Sequence, residues 1–497
     1  MFNNLTNEWR LYQNGKDYNN RISYKANCDK NERFYVGDQW FGVKANNLPT
    51  PVFNIFKRIT DHIIAFVLSS PLKVLYSSVD SEMANAISKH IEQKWEKDRI
   101  DAKLRHLLLD AALTGDMATH TYWDANIDGG NGIKGDFVTE CVDGINVFFG
   151  NVNECDVQKQ PYILIAGRTM TDYLKNEALQ NKVSKAKIND ILPDSDNSSQ
   201  LGDRAELELD GKTTFLIKYW KNPSDGKIYW TKSTKTVVIR EAVNTNLSLY
   251  PIAFSNWTKR KNSYHGQALG TGLVPNQIFI NKVFAMAMKH MMDTAFPKAV
   301  YDKTRVSGWN NAIGSAIGVN GDINNVATYL EPAGMDGGVI ALIDRAMQYT
   351  TESMGANDAM LGQHIRPDNA SAIVALQQSA AIPLDNIKQN LYEFIEDMAR
   401  IWLDFIINKY SVNRQITIES DKGFETIVLD YTRLKNVSYN VKIDVGASSY
   451  WSEIASTKTL DNLLATGNID IVQYLKRLPQ GYVPKAKELI EEIGVRS

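Results

Sequence analysis

A chain of 497 residues exceeds what a single hydrophobic core usually organises, which points to roughly three domains or to one elongated subunit of several layers. Hydrophobic residues at 43% and charged residues at 23% exclude a disordered chain, and 55 Lys plus Arg against 57 Asp plus Glu leave a formal charge of −2, which disfavours tight binding to phosphate backbones. Cys28, Cys141 and Cys155 are an odd number at unrelated spacings and suit reduced thiols. The first residues lack a basic-then-apolar signal and the run 63–68 is too short to span a bilayer, so the expectation is a chain neither exported by a signal peptide nor embedded in a membrane.

From Pro51 to about Asp124 the pattern is helical. Ile55, Ile59, Ile63 and Phe66 recur at steps of three and four before the Ser69-Ser70-Pro71 break. A second helix from Ser81 carries Met83, Ile87, Ile91 and Trp95, and a third carries Leu104, Leu107, Leu108, Ala111 and Ala112 toward Gly115. Between about His120 and Trp257 the period moves toward two. Asp128-Gly129, Asn131-Gly132, Asp210-Gly211 and Asp225-Gly226 supply turn chemistry, which predicts an antiparallel sheet region interrupted by a polar surface loop over 185–203.

A long helix opens near Gly266. Pro275 fits either its first turn or a kink, and the 20 residues from Pro275 to Thr294 span about 30 Å. Glycines 308, 314, 318 and 321 mark residues 296–332 as a loop-and-strand insertion between two helices, the second running from Val339 to about Met354. The stretch from Gly355 to Asn369 has no period, and an unstructured loop inside a helical region suggests function. Ile387, Leu391, Phe394, Met398, Ile401 and Phe405 then form a heptad-like seam that packs either one subunit together or subunits against one another. A short β region over 415–445 and small helices through Leu460, Leu463, Leu464, Leu475, Leu489 and Ile490 close the chain.

Motifs of catalysis are weak. Gly211-Lys212-Thr213 ends like a phosphate loop, but the first glycine position is Glu206. Asp124, Asn126, Asp128 and Gly129 begin like a calcium loop, but the bidentate-acid position is Gly135. The seven histidines have no zinc-ligand spacing and read as single polar or ring-packing residues. Ser184 with Lys187 lacks companion motifs, and Gly266-x-x-x-Gly270 reads as a close approach of backbones. Met286, Met288, Met291 and Met292 fit an adaptable contact surface or ordinary core filling, and Lys259-Arg260-Lys261 reads as a solvated turn. The absence of recognisable catalytic motifs, beside long helical seams, reads as an assembly component rather than an enzyme.

Several stretches, in this order, resemble the portal proteins of tailed bacteriophages. They are Arg33-Phe34-Tyr35-Val36-Gly37-Asp38-Gln39-Trp40, Pro51-Val52-Phe53-Asn54-Ile55-Phe56-Lys57-Arg58-Ile59, the Ser70-Pro71 break, Leu113-Thr114-Gly115-Asp116 and Trp123. Next come Tyr264-His265-Gly266-Gln267-Ala268, Pro275-Asn276-Gln277 and Asn281 leading to Phe296-Pro297, and finally 463–470 with Leu478-Pro479. The resemblance covers most of the chain, and its specificity lies in the order of short signatures. One departure is Asn369-Ala370-Ser371-Ala372, where related portals often have Ser-Gly-x-Ala after the tunnel loop.

The resemblance implies an α+β, mainly α, elongated subunit with wing, stem, clip and crown that assembles into a ring. It divides the chain into a wing (1–264), a stem helix (265–295), a clip (296–337), a second stem helix (338–354), a tunnel loop (355–372), a long wing helix and β return (373–446) and a crown (447–497). It implies a dodecameric ring at one capsid vertex of the virion, assembled in the host cytoplasm, which passes double-stranded DNA during packaging and ejection. Its partners would be the terminase large subunit, a head-completion or adaptor protein, and the major capsid and scaffolding proteins. No cofactor, catalytic residue or metal is implied. By position, Gln363, His364 and Arg366 of the tunnel loop would face DNA, unless the loop only seals neighbouring subunits, and Lys298, Lys303, Arg305 and Trp309 would present the clip for docking. The alternatives are another capsid or tail structural protein, or an enzyme with an unrecognised site.

Overall fold

The computed structural model describes residues 5–69, 72–128, 133–196, 211–295, 299–306, 308, 310, 316–329, 337–354, 384–410, 413–420, 423–434, 438–444, 460–464, 466–467 and 469–477. The chain opens with helices α1 (Leu5–Arg21), α2 (Tyr24–Val36) and α3 (Ile55–Val67), then strand β1 (Lys73–Ser77) and helices α4 (Ser81–Lys97) and α5 (Ile100–Thr114). Asn54 and Asp80 cap α3 and α4 by accepting from the backbone N–H groups of Lys57 and Met83, which satisfies donors that a helix start leaves orphaned. Ile59 and Ile63 are fully buried, as are Ile87 and Ile91, so both predicted stripes face the core.

Two antiparallel sheets follow. In the three-stranded sheet, β2 (Asp116–Asp128) lies between β3 (Lys134–Val142) and β9 (Ile252–Asn256). The five-stranded sheet is a meander of β4 (Val147–Phe149), β5 (Tyr162–Met170), β6 (Lys212–Lys221), β7 (Ile228–Thr234) and β8 (Val238–Asn244). Helices α6 (Thr171–Gln180) and α7 (Lys185–Asn189) leave β5 and cover it in part. The Asp225-Gly226 turn joins β6 to β7 as its chemistry predicts, with Gly226 at φ +66.

Beyond the sheets come α8 (Leu269–Thr294), the pair β10 (Ala299–Tyr301) and β11 (Ala327–Tyr329), and α9 (Gly338–Ser353). After these come α10 (Asp385–Lys409), the hairpin β12 (Arg414–Ser420) and β13 (Gly423–Leu429), α11 (Tyr431–Leu434), β14 (Asn440–Asp444) and α12 (Ile471–Arg477). Strand β14 returns to pair with β1, Lys73 opposite Asp444, so the C-terminal β region closes onto the N-terminal helices.

The seam on α10 is internal. Leu391, Phe394, Ile395, Met398 and Phe405 are each at most 2% exposed, and Trp402 donates to Thr139 Oγ1 at 2.8 Å, so this helix is the spine of the subunit's own core.

Two sequence expectations need correction, and two further helices lie where the sequence shows no period. The polar stretch after Gln180 contains α7, because Ile188 and Ile191 find apolar partners in Leu174, Ala178, Val237 and Ile239. The long helix starts at Leu269, which puts Pro275 inside its second turn and removes the first of the two alternatives, a place in the first turn. Helices α1 and α2 carry too few apolar residues to show a stripe. They form because Tyr12 packs on Phe148, Leu164 and Leu216, and because Glu8 faces Lys218 at 3.5 Å in a site where both side chains are 3% exposed.

Candidate functional site

The site follows from how α8 is rooted. Helices α2, α3 and α5 pack around its first half, and a run of side-chain amides ties it to them. Asn281 donates to Gln39 Oε1 at 2.7 Å, and Gln39 Nε2 donates to Phe34 O at 3.0 Å and to Asn54 Oδ1 at 3.2 Å. One turn back on α8, Gln277 Nε2 donates to Phe53 O at 2.8 Å and to Asn281 Oδ1 at 2.9 Å, and its Oε1 accepts from the Phe56 N–H at 3.1 Å. Gln39, Gln277 and Asn281 are 2–6% exposed. The spacing of four residues places Gln277 and Asn281 on one helix face, where they accept and donate in sequence and stitch 39–56 to the helix.

A second knot holds the turn that leads into α8. Asp116, at the start of β2, is fully buried and its two oxygens take four partners. Oδ2 accepts from Tyr24 OH at 2.5 Å and lies 2.5 Å from His265 Nδ1, while Oδ1 accepts from Asn256 Nδ2 at 2.7 Å and from the Gly266 N–H at 2.8 Å. His265 Nε2 lies 2.9 Å from Asn19 Oδ1, and the imidazole stacks on Tyr24 and lies tilted against Tyr264, with ring centroids 3.9 and 4.0 Å away. A carboxylate withdrawn from water is tolerable because the knot supplies this full set of donors.

Glycines make the knot possible. A Cβ on Gly266 would sit 2.5 Å from Gly115 O and 2.6 Å from Asn256 Cβ, and one on Gly270 would meet the Asn31 side chain at 2.5 Å. The Gly266-x-x-x-Gly270 pair is thus a close approach of backbones, as its spacing suggests.

The knot holds protons rather than offering a nucleophile. Burial and the Asp116 charge push the Tyr24 hydroxyl and the Cys28 thiol well up from their ordinary ranges, so both stay protonated at neutral pH. Among the described residues, no group of three or more His, Cys, Asp or Glu has the arrangement to hold a metal ion, and no helix is long and apolar enough to cross a membrane.

Beyond its root, α8 changes character. Phe279, Met286, Met291 and Met292 are 44%, 56%, 60% and 61% exposed. Gly272 near the start of α8 faces Met354 at the end of α9, so the two helices run antiparallel, and α9 exposes Ile340, Leu342 and Tyr349. The four methionines are therefore not core filling within one chain. Between these helices, Lys303 and Arg305 lie in an exposed turn after β10, where the Asp302 side chain accepts from the Thr304 N–H at 2.9 Å and lies 3.6 Å from Arg305 Nε. Lys298, Trp309, Gln363, His364 and Arg366 lie outside the described residues.

The model of the phage P22-like portal protein family matches residues 176–477, from within α6 to the end of α12. Among curated proteins none matches the chain. The matched span contains His265, Gly266, Gln277 and Asn281, while their partners Asn19, Tyr24, Gln39 and Asp116 precede it. The structure joins the two parts at the root of α8.

Proposed function

The chain belongs to the phage P22-like portal protein family, a structural rather than an enzymatic one, and from that premise we propose that its copies close into a ring at one capsid vertex. In this reading the ring conducts double-stranded DNA passively, inward during packaging and outward on ejection, and ATP hydrolysis belongs to the terminase that docks on it. Helices α8 and α9 are its stem and the 296–337 segment its clip, with Lys303 and Arg305 on the docking face beside Lys298 and Trp309. The 355–372 segment is its tunnel loop, where Gln363, His364 and Arg366 meet the DNA, and 447–497 its crown. A dodecamer is the expected order, with adaptor, scaffolding and major capsid proteins as later neighbours.

The observation that supports the ring is the apolar surface left open on the stem. Met286, Met291 and Met292 on α8, with Ile340 and Tyr349 on α9, expose large side chains along a helix pair whose root is locked by two polar networks. A fixed rod with an open apolar flank gains free energy by lying against its own copy, and repetition around an axis closes the set.

The test is light scattering and negative-stain imaging of the purified chain, with Met291→Glu/Met292→Glu beside it. A ring with a central hole that the double variant loses, while its circular dichroism is unchanged, supports the reading. A compact monomer at every concentration, with no hole, refutes it.

A further inference from the structure

Between the two sheets lies a cleft of about 650 Å³ that the ring reading does not use. Its floor is aromatic, from Tyr122, Tyr219 and Trp230, with Phe405 of α10 at its edge. Arg240 on β8 lies over the Trp230 ring, 4.8 Å from the centroid, and Lys409 at the last turn of α10 lines the same cleft. Both cations are half-buried.

The charges lining the cleft are equal in number, Lys232, Arg240 and Lys409 against Glu140, Asp143 and Glu177, but they are not all paired. Glu177 is taken by Lys232 at 2.6 Å and Glu140 accepts from Tyr122 OH at 2.9 Å, while among the described residues no carboxylate lies within ion-pair reach of Arg240 or Lys409. Burial, reinforced by the Arg240 charge, lowers the pKa of Lys409 from its ordinary value. Two half-buried cations that influence each other and have no carboxylate within ion-pair reach leave their N–H groups open to a bound anion.

The geometry points to a binding site for a carboxylate carried on an aromatic or aliphatic body, its oxygens held by Arg240 and Lys409 and its apolar part set against the half-buried Tyr122, Ile217 and Trp230. A guanidinium stacked on an indole keeps its N–H edge free for a two-toothed bond to a carboxylate. Nucleic acid is disfavoured by the same cleft, because Glu140, Asp143 and Glu177 line its other side and repel a polyanion. The shared chemistry, an apolar carboxylate, is offered by a small molecule or by an acidic-aromatic stretch of polypeptide.

Calorimetric titration of the full chain with N-acetyl-tryptophan, N-acetyl-tryptophanamide and the peptide acetyl-Trp-Glu-Trp-amide tests this. The free acid should bind at least roughly tenfold more tightly than the neutral amide, and Arg240→Gln and Lys409→Met should each remove that advantage. A peptide that outbinds the free acid identifies a polypeptide source, and the reverse order a small carboxylate. Equal binding of acid and amide, binding untouched by both variants, or stronger binding of a short DNA duplex overturns the proposal. Lys409→Met should also raise the unliganded melting temperature by removing like-charge repulsion. Should either variant fail to fold, the acid-to-amide ratio of the parent decides alone, and neither result depends on ring formation.

Discussion

Asp116 and His265 are 149 positions apart in sequence and meet at 2.5 Å in the interior, with neither side chain exposed to solvent. That contact fixes where the long helix begins. Asp116 closes the turn after α5, His265 opens the turn before α8, and Gly115 O against Gly266 leaves no room for a side chain between them. Removing the carboxylate leaves Tyr24, His265, Asn256 and the Gly266 N–H without their acceptor. Asp116→Ala is therefore expected to cost several kcal/mol, at about 1–3 kcal/mol for each buried donor left unsatisfied, and Asp116→Asn less because it keeps the volume and one acceptor. Thermal unfolding followed by circular dichroism reads both. A variant with alanine at 116 that melts with the parent refutes the role.

The pieces of these networks were legible in the sequence, but their meeting was not. Gln39, Asn54, Asp116, His265, Gly266, Gln277 and Asn281 all lie in the short stretches that carry the portal resemblance, yet no period or spacing links residue 39 to 281. Such partners are set by tertiary approach, which only the fold displays. Helices α3, α4, α5 and α10 were readable because one apolar stripe per helix is buried. Helices α1 and α2 were not, because their stability comes from polar anchors such as Glu8 with Lys218 and Asn31 with Leu113 O. The open question of whether the 387–405 seam faces its own subunit or a neighbour resolves inward, and that of the four methionines resolves outward.

Asp110 burdens the fold near neutral pH. Burial, with the charges of Asp143 and Glu32 nearby, pushes its carboxyl up to about 8. A carboxyl whose pKa is higher folded than unfolded gives stability that is complete below about 4 and is lost as pH rises toward 8. Asp110→Asn should thus stabilise the protein at pH 8 by a few kcal/mol, on the order of 1.4 per unit of pKa difference, and leave it nearly unchanged at pH 4. Denaturant melts at the two pH values check the sign; equal shifts at both would show that Asp110 is not desolvated.

His90 and His120 act in the opposite sense. Burial lowers both to about 4 from an ordinary 6.5, and each neutral ring is tied to a tyrosine, His90 Nε2 to Tyr410 OH at 2.9 Å and His120 Nε2 to Tyr219 OH at 2.8 Å. The unfolded chain takes up a proton at each below 6.5, so their contribution is intact above 6.5 and is lost as pH falls toward 4. His120→Gln should reduce the pH slope of stability across this window by up to about 1.4 kcal/mol per pH unit, one proton's worth. An unchanged slope would mean that the ring is already solvated or charged in the folded state.

The tie between Gln39 and Asn281 is the sharpest test of how the helix root is held. Asn281 donates to Gln39 at 2.7 Å, and each also serves a second partner, Gln39 the Phe34 carbonyl and Asn281 the Gln277 amide. Each single truncation, Gln39→Ala or Asn281→Ala, strands a buried polar group and should cost about 1–3 kcal/mol. The double variant removes donor and acceptor together, so its loss should fall short of the sum by at least about 0.5 kcal/mol. Denaturant unfolding of the four proteins supplies the cycle. Strict additivity would show that the two amides do not communicate, and that apolar packing of α2 and α3 alone fixes the start of α8.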